Sequence, residues 1–372
     1  MQRIVSLDIY KALAAVMVII IHVTASPIVT LTKGAAVDVL IVINRFANPS
    51  VPMFVFASGL SLFYIYGDRR IVFLKFIKKR LPKILIPYLA WCAIYYAYYV
   101  YKGIYAFSAQ TFALNVLSGR LMYHLYFVVI IIQFYLMFGI INYVVKRFSG
   151  SVILPVGLMI NILAAKVLPI SYADRSFLTY LIYFLLGCYF AKNLKGASSF
   201  LCRYKVVLTL GFLSLGGIYA YQFYEAQVLN ISARFIPDPY AYISFCAVSV
   251  LVYYLASMGL DQATIGIPVD GAGIVSVDGA GIVRPDGAGV GLTRRVLLAI
   301  SEGSYYIYLS HPLAIIAAGS ISARLAITGV IDQMFVAFIL IWLTAVPLSI
   351  LYANLKSHYK QRRTQRPVKT TE

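Results

Sequence analysis

Residues 7–31 read LDIYKALAAVMVIIIHVTASPIVTL, an apolar run in which the ionisable residues are Asp8, Lys11 and His22. A helix that spans a membrane needs about 20 apolar residues, each rising about 1.5 Å along the axis. The run therefore predicts a transmembrane helix near the start of the chain. Asp8 and Lys11 lie too deep in the run for the hydrophobic segment of a cleaved signal peptide, so we expect the helix to be retained.

The rest of the chain has the same apolar character. Of its 372 residues, 61% are hydrophobic and 12% are charged, and the mean hydropathy is +0.83. Soluble globular proteins contain about 45–50% apolar and about 25% charged residues, so this chain has too little polar surface for a water-soluble domain. We expect an all-α polytopic membrane protein that crosses the cytoplasmic membrane many times.

Apolar segments of spanning length, separated by charge, proline or glycine, predict about ten transmembrane helices. Their ranges are 7–31, 37–66, 82–101, 124–145, 151–169, 176–192, 205–224, 239–260, 296–320 and 329–355. We interpret residues 1–355 as a single transmembrane domain.

The net charge of +19 comes from 32 Lys and Arg residues against 13 Asp and Glu residues. Most of the basic residues fall in alternate loops between the apolar runs, rather than along one amphipathic face. This pattern is typical of a polytopic membrane protein and argues against a nucleic-acid partner. Because Lys and Arg concentrate in cytoplasmic loops, we predict that both termini are cytoplasmic.

Two segments lie outside the predicted spans. Residues 269–292, within a loop at 261–293, contain three copies of an eight-residue unit: VDGAGIVS, VDGAGIVR and PDGAGVGL. Each copy carries an Asp-Gly turn signal, but a GK[ST] motif and a strand-to-helix context are missing, so a tandem expansion in a cytoplasmic loop is favoured over a nucleotide-binding loop. Residues 356–372 are predicted to be a basic cytoplasmic tail that also contacts anionic lipid.

The four cysteines fall singly in or beside apolar segments, without CxxC spacing. They are Cys92, Cys188, Cys202 and Cys246. We therefore expect neither a disulfide nor a metal site.

Ionisable side chains at bilayer depth are costly and are therefore candidates for function. The predicted spans contain Asp8, Lys11, His22, Arg45, His124, Glu302 and His311. Successive residues turn by about 100°, so His22 returns to within about 20° of Lys11, and one polar stripe runs along the first helix.

Four of these side chains are predicted to share the outer half of the membrane. His22 lies about 21 Å and His311 about 22 Å along a hydrocarbon core of about 30 Å. His124 opens a span that starts outside, and Arg45 lies about 12 Å below the outer end of its span.

A histidine cluster of this kind has two interpretations. It could be a packed polar network that only holds helices together. Three histidines and an arginine from four helices favour a functional site, because neutral histidine accepts or relays a proton near physiological pH. Ser304 and Tyr308 fall on the face of His311, where they either hydrogen-bond a hydroxylated ligand or serve helix packing.

The predicted cytoplasmic mouth is strongly basic. Lys78, Lys79, Arg80 and Lys83, together with Lys11, form a cationic rim suited to a polyanionic phosphate. The alternative is that these charges only set the membrane topology.

Five motifs follow one another along the chain. They are LDIYKALA at 7–14 with His22, RF at 45–46 with VPMFVFASG at 51–59, RLPKI at 80–84 with PY at 87–88, HLYF at 124–127, and SYYIYLSHP at 304–312. Together they resemble the acyltransferase family 3 membrane enzymes from the first helix to the last. In that family a basic residue precedes a functional histidine by eleven positions, a Ser-Gly corresponding to Ser58-Gly59 lies on the second helix, and a Ser-Tyr…His motif lies on a late helix.

The chain departs from the family pattern in three respects. The basic residue of the first helix is usually Arg in the family, and Lys11 keeps its charge but lacks the bidentate guanidinium. The tandem repeat is not part of the pattern. Because an extracytoplasmic hydrolase-like domain is not expected after the last helix, the acyl group would pass directly to its acceptor or to a separate envelope-biosynthesis protein.

The resemblance implies transfer of an acyl group, usually acetyl, from cytoplasmic acyl-CoA to a hydroxyl of a cell-surface polysaccharide or its lipid-linked precursor. Acyl-CoA is then a donor substrate, and a bound cofactor is not expected. His22 is the implied general base, and Arg45 or His311 would stabilise the oxyanion. Direct transfer and a covalent acyl-histidine intermediate both stay open.

The other residues of the motifs receive supporting roles. Lys11 would hold the donor or orient the polar stripe with Asp8. The remaining assignments are Arg80 and Lys83 for the donor, and Ser58, His124, Ser304 and Tyr308 as supporting residues.

The competing hypothesis is a carrier or flippase for a glycan or an organic acid, which would use the same intramembrane charges to bind substrate or relay protons. A carrier would more naturally show two related halves and paired broken helices. Neither is clear in the sequence, although Pro49 and Pro52 could break the second span. A purely structural membrane protein would not need titratable groups at this depth.

Overall fold

The computed structural model describes residues 3–32, 34–229, 239–264 and 291–364, and within these ranges the regular structure is helical. The α-helices are α1 (Val5–Thr30), α2 (Ala35–Ala47), α3 (Ser50–Tyr66), α4 (Phe73–Tyr101), α5 (Ala109–Ser118), α6 (Tyr126–Arg147), α7 (Gly150–Val167), α8 (Ile170–Ala173), α9 (Leu181–Lys192), α10 (Leu194–Arg203), α11 (Lys205–Tyr224), α12 (Pro239–Thr264), α13 (Leu292–Arg324), α14 (Val330–Leu340) and α15 (Val346–Thr364). A 3₁₀ turn at Phe177–Tyr180 and π-helical segments at Glu225–Leu229 and Ile341–Ala345 complete the described structure. Most of the repeat at 269–292 and the tail beyond residue 364 lie outside the described residues.

The prediction of an all-α polytopic membrane protein is confirmed. In the described part of the chain, nine helical segments are long and apolar enough to cross a membrane. A tenth span results if 177–192 and 194–203, which meet at a bend of 109°, are counted together. The first half of that bent pair is the sixth of the predicted spans.

The predicted start of the third span is wrong. The sequence predicts a start at Pro82, where the apolar run follows a group of basic residues, but α4 begins at Phe73 and contains both Pro82 and Pro87. Membrane helices tolerate internal proline because neighbouring groups satisfy the freed backbone carbonyls. The basic residues of the predicted loop therefore lie on the first turns of a helix, which fixes the directions of their side chains.

The predicted second span is broken in the middle. Helix α2 ends at Ala47 and α3 begins at Ser50, with Asn48 and Pro49 between them. Proline has a fixed φ and lacks a backbone N–H, so it interrupts the hydrogen-bond ladder here. The break places short polar side chains of Asn48 and Ser50 inside the bundle.

Helix α1 is the central element of the bundle. It packs against α2, α3, α12, α13 and α14. It carries Ala12, Ala14 and Ala15 on different sides, all fully buried, and small residues of this kind let membrane helices approach closely. The polar stripe of α1 therefore faces the other helices and not lipid.

Helices α3 and α9 are in close contact through two glycines. A Cβ atom added at Gly59 would lie 2.2 Å from the backbone oxygen of Phe184, and one added at Gly187 would lie 2.2 Å from that of Phe56. Only glycine fits at either position, and this reciprocal contact fixes α3, with Ser58 on it, relative to the rest of the bundle.

Candidate active site

Three histidines from different parts of the chain meet inside the bundle. The ring of His22, on α1, stacks on that of His311, on α13, with centroids 5.2 Å apart and planes at 21°. His124, in the turn before α6, lies with its ring centroid also 5.2 Å from that of His311. His124 and His311 are fully buried and His22 is half-buried. The structure thus brings together the histidines that the helix arithmetic placed at one depth.

The hydrogen bonding of His311 shows which of its ring nitrogens carries the hydrogen. Its Nδ1 lies 3.1 Å from the backbone oxygen of Ile307, and because a carbonyl only accepts, Nδ1 carries the hydrogen in the neutral ring. Its buried Nε2 has no hydrogen-bond partner among the described residues. A buried polar atom without a partner is costly, so Nε2 is available to a ligand or a proton.

A small polar cavity, which we call the histidine chamber, lies beside this cluster. It has a volume of about 80 Å³, enough for a few water-sized groups. Its lining comprises Val18, Ile21, His22, Asn48, Ser50, Val51, His124, Tyr126, Tyr242 and Tyr308. Hydroxyl, amide and imidazole groups therefore surround a space that one hydroxyl of a larger molecule can occupy.

Several residues of this site were missed by sequence reasoning. Tyr123 packs on His22 with ring centroids 4.4 Å apart and directly precedes His124 in the sequence, and the chamber residue Tyr126 follows two positions after that histidine. These neighbours could have been found from the His-Leu-Tyr-Phe motif. Tyr242 reaches the chamber from α12, and the apolar sequence around it gives no such signal.

A second cavity, the Lys11–Arg80 cavity, has a volume of about 300 Å³. Its lining comprises Lys11, Phe54, Ala57, Ser58, Ser61, Leu62, Arg80, Ile84, Phe127, Val128, Ile131, Tyr135, Ser304, Tyr305 and Tyr308. Two cations and several hydroxyls thus border a mainly apolar space, which is the usual make-up of a small-molecule site.

The predicted donor residues divide between the cavity and the surface. Lys11 and Arg80 line the cavity together with Ser58 and Ser304, as one site would require. Lys83 is exposed and is not part of the lining. The structure therefore unites most of the proposed donor site but leaves Lys83 outside it.

An ion-pair network holds Lys11 at the wall of this cavity. The Asp8 carboxylate accepts from Arg3 Nε at 2.6 Å and from Lys11 Nζ at 3.2 Å, and also from Ser301 Oγ at 3.4 Å. Arg3 pairs in turn with Glu302 at 3.1 Å. Asp8 thus orients Lys11, and the predicted link between these two residues is present.

Arg45 has a different environment from the histidines. Its guanidinium hydrogen-bonds the Asn44 side chain and the Tyr219 hydroxyl, and its Cζ atom lies 3.8 Å from the ring centre of Phe223. The contacts described for Arg45 do not reach a histidine, so the structure does not bring it into the cluster. It braces α2 against α11, and an oxyanion-stabilising role for it stays a prediction.

Tyr308 lines both cavities. Its hydroxyl donates a hydrogen bond to the backbone carbonyl of His124, and its ring centroid lies 5.2 Å from that of the same histidine. The two cavities therefore share one side chain.

A family model described as an acyltransferase domain matches residues 4–353, nearly the whole chain. Comparison with curated proteins and with solved structures gave no match. The matched range includes every residue of both cavities.

Proposed function

The chain belongs to the acyltransferase family whose model it matches, and from this membership we propose that it is an integral-membrane O-acyltransferase. In this proposal it moves an acyl group, usually acetyl, from cytoplasmic acyl-CoA to a hydroxyl of a cell-surface polysaccharide or of its lipid-linked precursor. The observation that supports it best is the pair of adjoining cavities that share Tyr308: one is lined by two cations, and the other is lined by His22 and His124, whose rings both contact His311.

The Lys11–Arg80 cavity is the proposed donor site. The ammonium and guanidinium groups of these residues suit the phosphates of coenzyme A, because charge-assisted hydrogen bonds to phosphate are strong. The apolar walls suit the pantetheine arm and the acyl group. Lys11 and His22 lie on the same helix about 16 Å apart, a distance that an extended thioester-bearing arm has to cover.

The histidine chamber is the proposed reaction site. His22 takes the proton of the acceptor hydroxyl as its oxygen attacks the thioester carbonyl carbon. The tetrahedral intermediate then collapses, the carbon–sulfur bond breaks, and the proton on His22 passes to the leaving coenzyme A thiolate. His311, which contacts His22, donates from Nε2 to the oxyanion when its ring is protonated or adopts the other tautomer.

The test is release of free coenzyme A from acetyl-CoA by the purified protein, with a cell-envelope glycan extract as acceptor. His22→Ala is expected to lose about a hundredfold or more of the turnover, the usual contribution of a general base. His358→Ala is the matched control, since it removes the fourth histidine of the sequence, to which the proposal gives no role.

Two results would contradict parts of this proposal. Full activity of folded His22→Ala would remove His22 as the base while leaving the reaction class intact. Failure of the wild-type protein to consume acetyl-CoA or longer acyl-CoA with any extract would overturn the acyltransferase itself. A burst of coenzyme A release without acceptor, close to one per protein, would favour the acyl-histidine route over direct transfer.

A further inference from the structure

Tyr308 lies where the two cavities adjoin, and the rings of two phenylalanines pack with it. Phe54 and Phe127 line the Lys11–Arg80 cavity, and Tyr308 lines both cavities. The ring centroids are 5.7 Å apart for Phe54 and Phe127, 6.4 Å for Phe54 and Tyr308, and 5.2 Å for Phe127 and Tyr308. We call this trio the aromatic septum. Its rings pack on one another, and because Tyr308 belongs to both linings, the trio stands at the wall that the two cavities share.

A hydrogen bond holds Tyr308 in its place in the septum. Tyr308 is 2% exposed, and its hydroxyl donates to the backbone carbonyl of His124. His124 lies in the turn that leads into α6, and α6 carries Phe127. One hydrogen bond thus joins Tyr308, the septum residue of α13, to the turn that holds His124.

Acyl transfer has a competing reaction in such a site. A base that deprotonates an acceptor hydroxyl also deprotonates water, so a thioester in an open, wet channel is hydrolysed to free acid and coenzyme A. Enzymes suppress this loss by excluding water until the acceptor is in place. Reacting atoms must also come within about 3–3.5 Å, so the septum has to open for transfer.

We propose that Tyr308 is the residue that decides between transfer and hydrolysis, because its hydroxyl bond to the His124 carbonyl keeps the aromatic septum closed until the acceptor arrives. The inference rests on the proposed function, because its first test measures coenzyme A release. In transfer, the acceptor oxygen bonds to the acyl carbon, the carbon–sulfur bond breaks, and the thiolate takes the proton. In hydrolysis, the oxygen of a water molecule bonds to the acyl carbon instead of the acceptor oxygen. The carbon–sulfur bond breaks and the thiolate takes the proton as before, and the product is the free acid.

The first experiment measures the ratio of acceptor-independent to acceptor-dependent coenzyme A release. Tyr308→Phe removes the hydroxyl but keeps the ring, and it is expected to raise the ratio about two- to tenfold, equivalent to one net hydrogen bond. Tyr308→Ala removes the barrier and is expected to raise it further. An unchanged ratio in both variants would overturn the inference.

The matched control for these variants is Tyr305→Phe. Tyr305 lies one turn earlier on α13, lines the Lys11–Arg80 cavity but not the histidine chamber, and donates its hydroxyl to the backbone oxygen of Ile84 at 2.8 Å. It can lower both rates through donor binding, but it should leave their ratio at the wild-type value. A ratio that rises as much as in Tyr308→Phe would show that any lost tyrosine hydroxyl on α13 has this effect.

A second experiment does not depend on acyl transfer. In a Cys202→Ser background, single Ser58→Cys and Ser50→Cys variants place a thiol in the Lys11–Arg80 cavity and in the histidine chamber, respectively. A small methanethiosulfonate reagent is added to one face of oriented vesicles, and then to the other. From the face that labels Ser58→Cys, Ser50→Cys should be protected, and adding Tyr308→Ala should expose it.

This labelling separates the two proposals. A closed septum that opens in Tyr308→Ala, in a protein that consumes no acyl-CoA, would sustain the barrier and reject the acyltransferase. Equal labelling of Ser50→Cys with and without Tyr308→Ala would reject the barrier, whatever the enzymatic activity.

Discussion

Arg80 and Lys83 are equivalent in the sequence but not in the structure, and this difference gives a sharp prediction. Arg80→Gln is expected to raise the KM for acyl-CoA about tenfold, whereas Lys83→Gln should change it less than about twofold. Arg80 is half-buried in the cavity wall, its Nε donates to the Tyr66 hydroxyl at 3.2 Å, and its Cζ lies 5.1 Å from the Tyr66 ring centre. Tyr66 thus holds the guanidinium through Nε, and in the proposed donor site the two Nη atoms would bind phosphate.

The magnitude follows from the two environments. A hydrogen bond to a charged group contributes about 1.5–3 kcal/mol, which corresponds to about 10- to 150-fold in affinity. Solvent screening at the half-buried Arg80 places the effect at the lower end. Lys83 is exposed, and exposed ionic interactions contribute about 0–1 kcal/mol.

The assay is the initial rate of coenzyme A release against acetyl-CoA concentration, at low and high ionic strength. The effect of Arg80→Gln should shrink as salt screens the phosphate interaction, and Arg80→Lys should recover part of it, because the charge returns without the planar fork. Thermal unfolding of each variant checks that the lost Tyr66 contact has not damaged the fold. Equal increases in KM for Arg80→Gln and Lys83→Gln would refute the placement of the donor site.

Two further predictions concern the scaffold. Gly59→Ala forces α3 away from α9 and should lower the free energy of unfolding in detergent by about 1–3 kcal/mol, which thermal unfolding would detect. The control is Gly139→Ala, because an added Cβ there meets nothing within 4 Å, and it should not lower the stability. Arg45→Lys should lower the melting temperature and the activity together, because it loses the ring contact with Phe223 and the fork to Asn44. A drop in kcat for Arg45→Lys at full thermal stability would instead support the oxyanion role.

The sequence was sufficient for most of the fold because spanning helices need long apolar runs, and such runs are visible without tertiary information. The sequence was not sufficient where a helix extends beyond its apolar run, because hydropathy does not show that charged residues are helical. The basic residues before Pro82 were interpreted as a loop, yet they form the first turns of α4. The bend between α9 and α10 and the π-helical segments depend on packing between helices, which a one-dimensional pattern does not contain.

The same limit applies to the site. The sequence gives the position of a residue along its helix axis, but not the neighbour that its side chain faces. A helix rises by a constant amount per residue, so the depth of His22 and His311 could be computed, and their rings do meet. The direction in which a helix face points depends on its neighbours. For that reason Arg45 was grouped with the histidines, although its side chain contacts α11, and Lys83 was grouped with Arg80, although it lies outside the cavity.

In the proposed function, helix α1 would coordinate donor binding and catalysis without a large rearrangement. Lys11 and His22 lie on one helix, so the distance from the proposed phosphate ligand to the proposed base is set by eleven residues, about 16 Å. Asp8 holds Lys11 at one end, and His311 stacks on His22 at the other. Between them we propose one element that changes, Tyr308 of α13, whose hydroxyl donates to the His124 carbonyl. In this proposal the rigid helix sets the position at which the thioester meets the base, and the thioester reaches that position when the Tyr308 hydrogen bond is broken.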